Sequence, residues 1–359
     1  MKIIINGISL WECMDELIGR IRQALSREDR DPEPFPLLPR DSYSPLPFSS
    51  GNFNFLDGKN HPLPDGKTLA FIDGGQAELL SSPDLSVGII RVCCCAYKNK
   101  KRAFSLSSEF YVVITPSRID DDMGFSVETF PLKGEIFPNK ELLALSSSDQ
   151  TIRSGVRKAT PSSLLPVARR FAELELASHA IGRLEKGDMA VLDGTLQENY
   201  TNESILLKSL RQKAEEKNIS VVAVAKTNSI LSRSGASFGA ILSHKHPAKE
   251  WWYAPLANPK NGAPHLFFAH LHPKAPHVFL MDSFKEPRVE IFTALLSHSN
   301  DSVFIGYPYG LVEVDRMARI SNQDTSYLQT RLMEKIGRQH LTSLLATKNA
   351  HEILDSIRF

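Results

Sequence analysis

The stretch LAFIDGG, residues 69–75, runs four apolar residues directly into an acidic side chain and two glycines. The stretch VLDGTL, residues 191–196, repeats this design further along the chain. Apolar runs of this kind predict buried β-strands, and Asp73 and Asp193 are predicted to close two of them. Gly74 and Gly194 follow, and glycine leaves space for a close ligand and tolerates unusual backbone angles. The two stretches therefore predict acidic side chains at the ends of two buried strands.

The elements around these stretches predict an α/β fold. Three strand-like runs lie between residues 67 and 117, and their short connections favour an antiparallel meander. Downstream, a helix (161–185), the strand that ends at Asp193, a second helix (202–218) and a further strand (219–229) alternate, which favours parallel pairing. This order predicts an RNase H-like mixed sheet, in which three antiparallel strands are followed by parallel βαβ strands, flanked by helices and extended at both termini.

Composition shifts along the chain predict its domain organisation. A strand, a helix and a segment rich in proline and serine predict a separate N-terminal region, residues 1–66. The α/β domain is predicted over residues 67–345, with a loose, acidic segment at 119–150 and a loop-rich insert at 229–263. Residues 346–359 are predicted to form a C-terminal tail.

Charge and cysteine content restrict the function only weakly. The 359 residues include 42 basic and 41 acidic side chains, so net charge argues neither for nor against a nucleic-acid partner. Cys93, Cys94 and Cys95 are consecutive and no C-x-x-C spacing is present, which favours reduced thiols within a strand. No stretch reaches the roughly 18 apolar residues that a membrane span needs. We therefore expect a cytoplasmic protein without membrane contact.

Neighbouring strands in the predicted sheet bring two carboxylates to one edge. Asp73 and Asp193 would emerge there together, and two carboxylates this close repel each other unless a cation lies between them. Mn²⁺, or Mg²⁺ as the alternative, suits an all-oxygen site that keeps waters for a substrate phosphate. A single Asp-Gly pair is equally typical of an ordinary turn. The occurrence of both pairs on neighbouring strands favours a metal site.

The helix predicted over residues 161–185 supplies a third carboxylate. Glu175 lies on the same apolar stripe as Ala168 and Phe171. A glutamate on a buried face is costly unless it has a partner, so Glu175 is the predicted ligand. Glu173, on nearly the opposite side of the helix, is the alternative ligand, and a surface glutamate in a charged helix is the other interpretation.

The stretch GYPYGLVEVDRMARI, residues 306–320, predicts a fourth carboxylate. With a helix starting near its proline, Asp315 lies on the apolar side together with Leu311. Arg316 is then nearby for anionic groups, whereas Glu313 is predicted to point into solvent.

These carboxylates predict a site for two divalent ions. Asp73, Glu175, Asp193 and Asp315 would hold them, so that one ion lowers the pKa of an attacking water and the other stabilises the leaving oxygen of a phosphodiester. Lys226, at the end of the apolar run VVAVAK, is predicted to neutralise phosphate charge. A strand-end lysine that reaches water is the alternative for Lys226.

Two further stretches carry aromatic or basic side chains. In SHKHPAKEWWYAP, residues 243–255, Trp251 and Trp252 are predicted to stack on bases of single-stranded DNA. The alternative is that both rings pack on the core or on a dimer partner. The stretch YKNKKR, residues 97–102, is either a solvated turn or a phosphate-binding patch.

The pieces FIDGG, VLDGTL, VAKTN and GYPYGLVEVDRMARI occur in an order that resembles the NurA family, RNase H-like nucleases of prokaryotic DNA end processing. The resemblance covers roughly residues 67–345 and implies that Tyr307 lines the site. It implies a Mn²⁺-dependent nuclease with 5′ to 3′ exonuclease action on single- and double-stranded DNA and endonuclease action on single strands. It also implies a homodimer that works with a HerA-type hexameric ATPase in double-strand break resection.

Two other function classes stay open. Actin-like ATPases and sugar kinases also place an aspartate after the first strand of this core, so a phosphotransferase is one alternative. Their phosphate loops need D-x-G-x-T, whereas Gly-Gly-Gln-Ala follows Asp73. The other alternative is a non-catalytic scaffold that binds DNA or a translocase. Clustered carboxylates argue against it, because they repel phosphate unless a metal ion is present.

Overall fold

The computed structural model describes residues 4–5, 8–25, 33–38, 41–56, 66–119, 121–227, 229–246 and 249–337. The chain divides into two compact units, the first formed by residues 1–63 and 224–306 and the second by residues 64–223 and 307–359. Residues 224–306, which include the predicted insert at 229–263, group with the N-terminal residues. The predicted domain boundaries stay predictions. The predicted tail, 346–359, lies outside the described residues. No helix in the described part of the chain is long and apolar enough to cross a membrane.

Long strands occupy residues 68–133, and most of the helices follow residue 160. The strands are β1 (Ile4–Ile5), β2 (Ile8–Ser9), β3 (Pro36–Leu37), β4 (Tyr43–Pro45), β5 (Phe53–Phe55), β6 (Thr68–Ser82), β7 (Leu85–Lys98), β8 (Lys101–Ile119), β9 (Asp122–Lys133), β10 (Met189–Asp193), β11 (Ser220–Ala225), β12 (Leu231–Ser232), β13 (Trp251–Tyr253), β14 (Ala257–Pro259), β15 (His265–His270) and β16 (Phe279–Ser283). The helices are α1 (Leu10–Leu25), α2 (Leu165–Arg183), α3 (Glu203–Glu216), α4 (Phe238–Lys245), α5 (Val289–Ser297), α6 (Tyr309–Ala318) and α7 (Asn322–Ile336).

The second unit is built around a mixed sheet with the strand order β11-β10-β6-β7-β8-β9. Strands β6 to β9 form an antiparallel meander, and β10 pairs with β6 in parallel. The prediction of an RNase H-like mixed sheet flanked by helices is confirmed. The meander has one strand more than predicted, because β9 lies in the segment interpreted as loose and acidic. There Phe125 and Val127 are buried while Glu128 alternates to the exposed side, which is the pattern of a half-buried strand.

Strand β6 was predicted to end at Asp73. In the structure it continues to Ser82. Its pairing with β7 runs on through Gly74 and Gly75, so the two glycines do not stop the strand. The parallel neighbour β10 does end at its aspartate, and its last paired residue, Leu192, lies opposite Ile72. Of the two strands, only β10 therefore ends at its aspartate, and Asp73 lies within β6 beside that end.

Two helices cover opposite faces of β6. Successive side chains of a strand point to opposite faces, so Asp73 and Gly75 share one face and Gly74 lies on the other. A Cβ atom on Gly75 would overlap the carbonyl group of Ala318 at the end of α6. A Cβ atom on Gly74 would lie 2.6 Å from Oε1 of Glu173 in α2. Glycine at both positions thus allows α6 and α2 to approach β6 closely.

Four strands of the first unit pair antiparallel in the order β5-β13-β15-β16. Their core is aromatic and includes Phe53, Trp251, Tyr253 and Phe268. Strand β5 comes from the segment predicted as a proline- and serine-rich linker, and β13 comes from the predicted loop-rich insert. These segments are more ordered than predicted, because each supplies a short strand that gains its hydrogen bonds from the other.

Candidate metal site

Three carboxylates of the second unit meet where β10 ends. One oxygen each from Asp73, Asp193 and Asp315 lies within 4.8 Å of the others. Asp73 comes from the middle of β6, Asp193 ends β10 and Asp315 lies in α6. Asp73 is buried and the other two are half-buried. Because three negative charges this close repel one another, the cluster fits a hard divalent cation with oxygen ligands.

Local contacts orient two of the three carboxylates. The backbone N–H of Gly74 donates to Oδ1 of Asp73 at 2.7 Å. Arg319 follows Asp315 by one helical turn, and its Nη2 donates to Oδ2 of Asp315 at 2.8 Å. The carbonyl of Arg319 in turn accepts from Nη1 of Arg91 in β7 at 3.0 Å, which fastens the end of α6 to the sheet. Asp73 and Asp315 are thus oriented by groups outside the cluster.

Tyr307 lies against the cluster, at the position implied by the family resemblance. It is 1% exposed, and its hydroxyl donates to Oδ1 of Asp193 at 3.4 Å. Burial raises the pKa of the Tyr307 hydroxyl, and the negative charges of Asp193, Asp73 and Asp315 raise it further. The hydroxyl therefore keeps its proton and remains a hydrogen-bond donor beside the carboxylates.

The carboxylate that α2 brings beside β6 is Glu173, the alternative ligand, and not Glu175. Glu173 is 4% exposed and lies over Gly74. Nη1 of Arg169 donates to Oε1 of Glu173 at 2.7 Å and to the carbonyl of Gly74 at 2.9 Å. Burial raises the pKa of Glu173, and the neighbouring guanidinium groups oppose that rise. The three-oxygen group contains neither of the two glutamates.

Glu175 lies on the side of α2 near α3. Burial raises its pKa, and the positive charges of His179 and Lys213 lower it. The stripe that predicted Glu175 was misleading because α2 packs on β6 and β7 on one side and on α3 on the other. A helix with apolar residues on nearly every side has no single stripe that identifies the side facing the sheet.

Lys226 and Arg316 are both exposed. Lys226 directly follows β11, as predicted, and belongs to the first unit. Arg316 lies in α6 immediately after Asp315. Their contacts with a substrate phosphate stay predictions.

Trp251 and Trp252 are buried in the first unit, so the predicted stacking on bases is corrected. Trp251 is fully buried against Phe53, with ring centroids 5.1 Å apart, and its indole N–H donates to the carbonyl of His246 at 2.9 Å. Trp252 packs on Phe292, with ring centroids 4.8 Å apart. Stacking on a base needs an exposed ring face. The alternative, packing on the core, is the arrangement that the structure shows.

Glu313 is buried rather than solvated. It is 5% exposed and pairs with Arg102, at the hairpin between β7 and β8. The helix α6 also packs on β7, so the side of α6 that the sequence predicts to face water faces this hairpin. At the tip, Asn99 and Lys100 have φ of 49° and 61°, as a tight hairpin turn requires.

Sequence reasoning missed a buried cluster of charges on the α2 side. Arg169 and Arg170 of α2 face Glu173 of the same helix and Glu203, the first residue of α3. Nε of Arg170 donates to Oε1 of Glu203 at 2.7 Å, and Glu203 has no exposed surface. The available signal was two adjacent arginines inside an otherwise apolar helix, where charged residues are costly unless paired.

Comparison with known proteins identifies a similar fold. No protein-family model matches the sequence, and no curated protein matches it. The NurA nuclease from Sulfolobus solfataricus is similar in structure, with a TM-score of 0.50 and 12% sequence identity over 93% of this chain and 98% of that one. The catalytic domain of human endonuclease V gives a TM-score of 0.35 at 10% identity over 88% of this chain and 98% of that one, a score too low to inform fold or function. The chain is therefore similar in fold to the NurA nuclease.

Proposed function

We propose that this protein is a divalent-metal-dependent nuclease that hydrolyses phosphodiester bonds in DNA. The observation that carries the proposal is the cluster of Asp73, Asp193 and Asp315, whose oxygens lie within 4.8 Å of one another. The similarity in fold to a NurA nuclease supports the same assignment.

The donor set suits the chemistry. Asp73, Asp193 and Asp315 would hold Mn²⁺ or Mg²⁺, both of which prefer oxygen ligands. A bound ion supplies Lewis-acid polarisation of a phosphoryl oxygen and a lowered pKa for coordinated water. Tyr307 keeps a proton on its hydroxyl beside Asp193, available to hydrogen-bond a substrate oxygen. A second ion needs further ligands, for which Glu173, paired with Arg169, is the candidate.

The proposal extends to substrate and partners. It includes Mn²⁺ as the preferred ion, 5′ to 3′ exonuclease action on single- and double-stranded DNA and endonuclease action on single strands. It also includes double-strand break end resection by a homodimer with a HerA-type hexameric ATPase. Lys226 and Arg316 are proposed to contact phosphate. These extensions are supported by the motifs FIDGG, VLDGTL and GYPYGLVEVDRMARI, which resemble the NurA family.

Asp73→Asn, Asp193→Asn and Asp315→Asn test the proposal. Purified protein is incubated with single- or double-stranded DNA labelled at its 5′ or 3′ end, in Mn²⁺, Mg²⁺ or EDTA. We expect cleavage by the parent with Mn²⁺ and none in EDTA. Each variant should be slower by about 10²- to 10³-fold, because several kcal/mol of transition-state stabilisation depend on the ion. For 5′ to 3′ polarity, we expect the 5′ label to be released as a mononucleotide before the 3′ label is released.

Asp121→Asn is the matched control. It makes the same change at a fully exposed carboxylate in the turn between β8 and β9, two to three strand spacings, or roughly 10–14 Å, from β6. This variant should cleave like the parent. A parent that leaves every form of DNA intact with all divalent metals, alone and with the partner ATPase, contradicts the proposal. ATP-dependent phosphotransfer without cleavage would indicate a kinase-like enzyme, and DNA binding without cleavage would indicate a scaffold.

A further inference from the structure

We infer that Arg170 and Glu203 form a clasp that positions Asp193 for metal binding, acting through the loop at residues 194–202. The inference rests on the proposed function, because it assigns the clasp to the same metal site. Both are positioning residues, since neither belongs to the group of three carboxylates.

Glu203 holds the second half of the loop. The loop starts directly after Asp193 and reaches α3 at Glu203. Oε2 of Glu203 accepts from the backbone N–H of Asn199 at 2.6 Å and from that of Tyr200 at 3.0 Å. A carboxylate with no exposed surface thereby fixes two consecutive amides of the loop.

Arg170 connects the same loop to α2. Its Nε donates to Oε1 of Glu203 at 2.7 Å, and its Nη2 donates to the carbonyl of Thr195, two residues after Asp193. Its Nη1 lies 3.8 Å from Oε2 of Glu173. The planar guanidinium can reach these groups together because its donors have a fixed fork geometry. One buried side chain therefore contacts both ends of the loop.

The backbone after Asp193 needs such support. Gly194 has φ of +102°, a conformation that side-chain-bearing residues rarely adopt, and a Cβ atom at this position would meet nothing within 4 Å. Glycine also leaves the backbone more conformational freedom than any other residue. Three carboxylates within 4.8 Å repel one another before a cation binds, which favours moving Asp193 away. A clasp that resists this movement keeps the ligand in place.

Stability alone is a weak reason for this arrangement. Buried ion pairs can often be replaced by apolar residues at little cost, so their presence indicates a specific geometry better than it indicates stability. Substitution of residues that orient metal ligands without touching the metal typically lowers metal affinity by about 10- to 100-fold. Arg170 and Glu203 would act in a similar way through their contacts with the loop that follows Asp193.

The double variant Arg170→Met/Glu203→Gln tests the clasp. Glutamine keeps an oxygen for the two loop amides, and the paired change leaves neither side chain as a lone buried charge. We expect a folded protein whose Mn²⁺ binding midpoint, measured by electron paramagnetic resonance of free Mn²⁺, rises by about 10- to 100-fold. Backbone amides of residues 194–200 should also exchange faster with deuterium. The single change Arg170→Lys, which keeps the charge and loses the fork, should raise the midpoint by about tenfold.

Lys213→Met is the matched control. It removes the hydrogen bond from Lys213 Nζ to Ser178 Oγ, 2.6 Å long, which also joins α3 to α2 but does not involve the loop. This variant should keep the parent's Mn²⁺ midpoint and amide exchange.

Each outcome decides the matter. A folded double variant with the parent's Mn²⁺ midpoint and loop exchange overturns the clasp and leaves the nuclease proposal intact. If the double variant does not fold, the same two measurements on Arg170→Lys decide in the same way. A parent that neither binds Mn²⁺ nor cleaves DNA overturns the proposed function and the clasp with it.

Discussion

Acidic side chains lie on both sides of β6, and the two groups have different neighbours. On the α2 face the protein supplies guanidinium groups to its buried glutamates, with Arg169 and Arg170 against Glu173 and Glu203. On the α6 face three aspartates crowd together at a half-buried point. The comparison teaches that burial of a carboxylate does not by itself indicate a metal site, because the glutamates on the α2 face are buried and paired with guanidinium groups. Glu173 of α2 lies over Gly74, the residue next to Asp73 in β6, so the two carboxylates lie on opposite faces of the strand.

The largest expected effect is a difference in the sign of stability changes between the two faces. Arg170→Met should lower the free energy of unfolding by about 3–5 kcal/mol, because it leaves the buried Glu203 without its guanidinium. Asp193→Asn in metal-free buffer should raise that free energy by about 0.5–2 kcal/mol, because it relieves repulsion within the cluster. Guanidinium chloride denaturation in EDTA measures both changes.

Arg211→Met is the control for the first of these changes. Its ion pair with Glu215 is partly exposed, so the loss should be about 0–1 kcal/mol. Destabilisation by both Arg170→Met and Asp193→Asn would break the comparison, since the aspartate cluster would then be as well balanced as the α2 cluster.

Addition of metal should raise the free energy of unfolding through the aspartate cluster on the α6 side only. Mn²⁺ at one hundred times its dissociation constant should stabilise the parent by about 2.7 kcal/mol, because it binds only the folded chain. Asp193→Asn should abolish most of this gain, whereas Asp121→Asn should keep it. Thermal unfolding over a series of Mn²⁺ concentrations gives the measurement. An equal gain in all three proteins would show that Mn²⁺ binds elsewhere.

The smallest expected effect concerns the close contact of α6 with β6. Gly75→Ala should destabilise the protein by about 1–3 kcal/mol, because the added methyl group would overlap the carbonyl of Ala318. Gly182→Ala, at an exposed position of α2 where a Cβ meets nothing within 4 Å, should stabilise it by about 0.5–1 kcal/mol. Differential scanning calorimetry compares the two. A neutral Gly75→Ala would mean that α6 can move away without cost.

The sequence alone predicted the parts of the site that local patterns carry. Asp73 and Asp193 each end an apolar run, and Asp315 lies on the apolar side of a short helix, so strand and helix periods identified all three. Glu173 could not be chosen over Glu175, because α2 is buried against both the sheet and α3. Periodicity identifies the buried faces of a helix, but it does not identify which of two buried faces lies against the site.

Contacts between distant segments were beyond the reach of local patterns. Arg170 meets Glu203 thirty-three positions away, and Arg102 meets Glu313 more than two hundred positions away. The length of β6 was also missed, because two glycines after an aspartate are typical of a strand end. In the folded chain, β7 supplies the hydrogen bonds that carry β6 through them.

Because β6 continues past the candidate metal site instead of ending there, alternate residues of the strand face different helices at that site. Odd positions, such as Asp73 and Gly75, face α6, and the even position Gly74 faces α2. One residue inserted after Thr68 would exchange the faces and turn the carboxylate toward the α2 side. Two inserted residues would restore the face but shift Asp73 by about 7 Å along the strand. A change of length in β6 before Asp73 would therefore remove this carboxylate from the cluster even if every residue of the cluster were kept.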